Sequence, residues 1–100
     1  MPDRSLVFED FADRVGDVFP ISEAGVPTIP LVLSQAERVN PAFAPPGVRP
    51  PFSLMFLARD PRVLPQRIYR MEHQELGELA IFLVPVGKDT EGVRYQALFN

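Results

Sequence analysis

The stretch from Gln66 to Asn100 constrains the fold most, because it reads as consecutive antiparallel strands that share one apolar face. The strands are Arg67–His73, Leu79–Val86 and Val93–Phe99. A loop at Gln74–Gly77 sets Tyr69 opposite Phe82 and Met71 opposite Ala80. A second loop from Gly87 to Gly92 sets Val84 opposite Tyr95 and Phe82 opposite Ala97. Strand side chains alternate between faces, so the two pairings can be checked against each other. In this register Tyr69, Met71, Phe82, Val84, Val86, Val93, Tyr95, Ala97 and Phe99 share one side. Slipping the first strand by one residue would bring Ile68, Arg70 and Glu72 there instead, which burial disfavours. The pattern therefore predicts a β-meander with Phe82 in the core.

The rest of the chain supplies further strands and one helix. Phe8, Phe11, Ala12 and Val15 recur at helical spacing, with Ser5 as N-cap and Gly16 as stop, so Leu6–Val15 is expected as a short amphipathic helix. It would serve as a lid over one end of a β core. Asp17–Ile21 is a short strand that Pro20 places at an edge. Thr28–Ser34 is a second strand, continuing bent or bulged through Gln35 to Val39. Pro41, Pro45, Pro46, Pro50 and Pro51, with Gly47, make residues 40–51 a stiff, extended loop. Phe52–Ala58 is the most apolar strand, and Arg59–Arg62 is a turn initiated by Asp60 before Pro61. The fold class is all-β: five or six mainly antiparallel strands, with turns every 8 to 12 residues, in a small barrel or sandwich.

Length and charge narrow the function classes. The 100 residues suit a single β-rich domain with one core. A net charge of -3 gives no electrostatic reason to expect nucleic acid, which is usually met with a basic patch. The absence of cysteine removes disulfides, thiolate metal sites and thiol nucleophiles. The start of the chain lacks the apolar core of a leader, and no apolar run reaches membrane-spanning length, so a cytoplasmic protein without membrane partners is expected.

Candidate chemistry is sparse. The single histidine, His73, is the one residue on which a nucleophile–base arrangement can rest, with Glu72 and Tyr69 nearest in sequence. At a strand end beside a hairpin loop it is expected to be solvated and to tolerate replacement. One histidine with carboxylates is a poor zinc set, so neither a metal nor a cofactor is expected. Glu72, Glu75, Glu78, Asp89 and Glu91 sit in or beside turns, where solvated charges are normal. The opposite face of the meander carries Leu79, Ile81, Leu83 and Leu98, with Arg70 and Arg94 at its margins. Two explanations stand side by side. Either the other strands or the helix cover this strip, or part of it stays open as an interface with a charged rim.

Several runs carry a resemblance. Pro51–Leu54 (PFSL), Leu64–Gln66 (LPQ), Tyr69 with Glu72 and His73, Leu76–Glu78 (LGE), Phe82–Pro85 (FLVP) and Tyr95–Asn100 (YQALFN) resemble an uncharacterised family of small bacterial single-domain proteins. The resemblance implies a β-rich domain of unknown function, and an accessory or assembly role of the kind found in phage-tail-like complexes. It defines no functional residues. The reading is a non-enzymatic protein-interaction or assembly module that binds a protein partner or self-associates. The alternative is a small barrel that binds an apolar ligand, or a minor hydrolase using His73, Glu72 and Tyr69.

Overall fold

The computed structural model describes residues 6–39 and 51–99. The proposed N-cap Ser5 and all of the proline-rich loop except Pro51 lie outside the described residues. The elements are α1 (Glu9–Ala12), β1 (Val18–Pro20), β2 (Pro30–Arg38), β3 (Phe52–Ala58), β4 (Arg67–His73), β5 (Gly77–Asp89) and β6 (Gly92–Phe99). The strands form a six-stranded sheet in the order β1-β2-β3-β6-β5-β4, with every neighbouring pair antiparallel. The two ends of this order meet. Ile21 bridges Met71, and the Ser22 N–H donates to the Arg70 carbonyl at 2.8 Å. The Arg70 N–H in turn donates to Glu23 Oε1 at 2.9 Å. The sheet is thus a nearly closed barrel, which leaves little free edge.

Bends appear where the sequence suggests them. Between Leu33 and Gln35 the β2–β3 register shifts, and the extra residue, Ser34, donates its hydroxyl to the Met55 carbonyl at 3.0 Å. This bulge turns β2 around the barrel. Pro20 and Pro30 pair at the end of the short β1–β2 ladder, where a missing N–H costs least.

Aromatic side chains close one end of the barrel. Phe11 of α1 is fully buried, with its ring about equally close to Phe19 (6.1 Å), Phe52 (6.0 Å) and Phe99 (5.9 Å). Phe52 and Phe99 stack in parallel at 4.5 Å where β3 begins and β6 ends. The helix is only four residues long, shorter than expected, and Val15 is exposed. Phe8, at its N-cap, offers no side-chain cap, and so short a helix holds its shape only through packing. Farther along the strands, two buried tyrosines hold the β3–β4 connection. Tyr95 Oη accepts from the Leu64 N–H at 3.0 Å, and the Tyr69 hydroxyl donates to the Pro65 carbonyl. Leu64 is buried beneath them. No helix among the described residues is long and apolar enough to cross a membrane.

The meander β4–β5–β6 is present, but its central strand faces the other way. Tyr69 pairs with Ile81 and Met71 with Leu79, whereas the expected partners were Phe82 and Ala80. On the other side Val84 pairs with Gln96 and Pro85 with Tyr95, again one residue from expectation. β5 is therefore displaced by one relative to both neighbours, and all its side chains exchange faces. Leu79, Ile81 and Leu83 fill the core, while Phe82 is 45% exposed. The cause is the first hairpin. Its loop has three residues, Gln74–Leu76, and Gly77 pairs with His73 at φ 77°. That left-handed conformation suits glycine and lets a three-residue loop close. Alternation gave no warning, because β5 is apolar on both faces between Leu79 and Val84.

Past Leu83, among the described residues, β5 pairs with β6 alone and presents an edge. Pro85, a register shift at Val86 and the charged Lys88 interrupt that edge and discourage further strand addition.

The facing of β5 separates two neighbouring substitutions. Ile81→Lys buries an unpaired charge in the core, so its cooperative urea transition should be lost. Phe82→Lys places the ammonium in water and should stay folded, within about 1 kcal/mol of wild type. The opposite pattern would contradict the observed register.

Candidate functional site

The chain folds its histidine inward. Tyr69, Met71 and His73 alternate along β4, so all three point to the core side. The His73 side chain is only 3% exposed, and its ring lies against Phe19 at 4.5 Å. Asp17 reaches it from the segment before β1. That segment is held to β2 by two backbone bonds: the Gly16 N–H donates to the Leu33 carbonyl at 2.7 Å, and the Leu33 N–H donates to the Asp17 carbonyl at 3.0 Å. An open cleft lined by Gly16, Asp17, Val18, His73, Gln74 and Glu75 surrounds the meeting point.

The hydrogen bonds assign the imidazole tautomer. The Glu75 and Leu76 N–H groups approach His73 Nδ1 at 3.0 and 3.1 Å. Both are donors, so Nδ1 carries the lone pair and the ring proton sits on Nε2. The Nε2–H then donates to Asp17 Oδ2 at 2.8 Å. Arg14 completes the surroundings, pairing with Glu75 at 3.3 Å and donating to the Asp10 carbonyl at 2.9 Å.

This arrangement fastens the hairpin and leaves no free nitrogen for chemistry. A general base needs an available lone pair near the substrate proton, and the one at Nδ1 is taken by the turn. Asp17, His73 and Glu75 do bring ligand atoms within 4.8 Å of one another. A cation at Nε2 would move the proton to Nδ1, where it would face two N–H donors. The Arg14 guanidinium beside Glu75 opposes it further. The donor set does not fit a metal ion.

The expected polar trio does not converge. Glu72 is exposed on the outer face opposite Glu78. Tyr69 is buried, with its hydroxyl spent on Pro65, and burial pushes the phenol pKa up. His73 is buried rather than solvated, because alternation continues from Met71 to the strand end. Its partner Asp17 lies 56 residues away and carries no local signal.

The expected interface is likewise divided. Leu79, Ile81 and Leu83 are interior, so they offer no surface to a partner. Leu98, 54% exposed, lies outside with Arg70 and Arg94. Arg70 pairs with Glu78 at 3.7 Å, and Arg94 with Glu91 at 2.6 Å. The exposed large apolar groups on the outer face of the meander include Ile68, Phe82 and Leu98, with Val84 half-buried beside them. Ile68 and Phe82 are direct cross-strand partners.

The chain belongs to the family DUF6916, a domain of unknown function, whose sequence model matches residues 6–99. Neither a curated protein nor a solved structure matches it.

Removing the imidazole should strand the Glu75 and Leu76 amides and the Asp17 carboxylate. His73→Ala should therefore lower unfolding free energy by about 1–3 kcal/mol, measured by urea denaturation. Zinc or a chelator should leave the wild-type melting temperature unchanged, whereas a zinc-dependent rise would contradict this assignment of the imidazole nitrogens. In the β3–β4 connection, hydrogen bonds from the Arg62 side chain and then its backbone N–H hold Asp60 down to about 2. Its contribution to stability is present above the ordinary value of 3.8 and lost as pH falls through about 2. An NMR titration of Asp60 with a midpoint near 4 would contradict this contact.

Proposed function

We propose that this domain is a non-enzymatic interaction module, an accessory or assembly subunit that docks on another protein through the outer face of its meander. The observation that carries the reading is Phe82. It stands 45% exposed in the middle of a regular strand, directly across from Ile68 at 60% exposure. A large aromatic held rigidly on a sheet suits an interface anchor, since its area is presented at little entropic cost. Leu98 on β6 adds to the same outer face; Arg70 lies one same-face step along β4 from Ile68 and reaches diagonally to Glu78. A stable interface covers roughly 800 Å2 per partner, more than these side chains supply. The contact would therefore extend over the half-buried outer residues Val84 and Met55.

The committed nitrogens of His73 favour this reading over a hydrolase. The large side chains inside the barrel, Tyr69, Tyr95 and Phe56 among them, favour it over an apolar-ligand carrier. The proposal takes the assembly to be bacterial, of phage-tail-like type, and cytoplasmic. A second copy of the chain is the first partner to test. Wild type should associate in sedimentation runs at rising concentration, and Phe82→Lys should remain folded and monomeric. A monomeric wild type removes the self-association form. If a photo-crosslinker at position 82 then also gives no adduct in cells that naturally make the protein, the reading fails.

A further inference from the structure

We infer that His73 is a protonation-sensitive latch, which holds the Gln74–Leu76 turn only while its imidazole is neutral. Neutral imidazole has one acceptor and one donor nitrogen, and the fold uses each in its proper sense. Nδ1 accepts the Glu75 and Leu76 amides, and the Nε2–H donates to Asp17. Adding a proton makes both nitrogens donors. Nδ1–H would then point at two N–H groups about 3 Å away, and those bonds must open. The Nε2–H to Asp17 bond survives and becomes a full ion pair between imidazolium and carboxylate. Protonation is thus an exchange, in which the ring strengthens its hold on the β1 side and releases the turn.

The surroundings make this a local event. From the segment before β1, Asp17 faces the ring with its carboxylate. From the turn, Glu75 contributes a carboxylate already paired with Arg14 from the α1–β1 connection. From β1, Phe19 packs on the ring and brings no charge. The remaining β4–β5 ladder does not use the imidazole, since Met71–Leu79 and Tyr69–Ile81 are backbone pairs. Release therefore opens the turn and the adjoining cleft without unzipping the hairpin.

Two NMR measurements on the intact chain test this. At neutral pH, 15N shifts of the ring should show the proton on Nε2 and an accepting Nδ1. As the ring takes its second proton, the Glu75 and Leu76 amides should lose at least about tenfold in exchange protection after correction for intrinsic rates, roughly 1.4 kcal/mol. Amides of β3 and β6 should keep theirs. His73→Asn retains an acceptor near the Nδ1 position but does not titrate, so its turn should stay protected throughout. Glu75→Gln should still show the loss, which separates the ring from the neighbouring carboxylate. The proposal is overturned if the neutral ring carries its proton on Nδ1, if the turn amides stay protected opposite an imidazolium, or if core amides open with them. The wild-type measurements decide the matter even where a variant fails to fold.

Discussion

The closure of the β4–β5 hairpin is the constraint on which the rest depends. A loop of three residues, Gln74–Leu76, followed by the left-handed Gly77 fixes the parity of β5 against β4. Parity then fixes which half of an otherwise two-sided apolar strand enters the core. His73 supports that loop from inside, binding two of its amides while Asp17 holds the far nitrogen. One side chain thus connects the β4 end, the turn and the segment before β1. These are places where a nearly closed barrel has few ladder bonds of its own.

The core follows from this facing. Leu79, Ile81 and Leu83 point inward with Tyr69, Met71, Tyr95 and Ala97, and Phe11 plugs the end where Phe52 and Phe99 stack. The same parity puts Phe82 outside beside Ile68. The exposed aromatic is therefore a consequence of how the barrel is filled. Core composition does not require it to be there, because β5 offers Leu79, Ile81 and Leu83 for the interior. A phenylalanine left in water on a regular strand invites a role beyond folding.

Much of the fold is legible in the sequence. Phe52–Ala58 and Arg67–His73 are read with their observed limits, and the bulge in β2 is foreshadowed by the loss of alternation after Leu33. The register of β5 is not legible, because Leu79 to Val84 is apolar at every position and loop parity alone discriminates. The helix reads too long because helical spacing continues from Phe11 to Val15, although the helix ends at Ala12 and Val15 is exposed. At the candidate site, alternation through Tyr69 and Met71 already places His73 on the buried side. Asp17 could not be found that way, since a contact across 56 residues leaves no local pattern.

Because the chain has no cysteine, the facing of β5 can be read directly. Single cysteines placed in turn at residues 79 through 84 would be labelled with a maleimide under native conditions. Positions 80, 82 and 84 should react readily, and positions 79, 81 and 83 should react only on unfolding. The reverse alternation, with 82 protected and 81 reactive, would contradict the account from the hairpin loop outward.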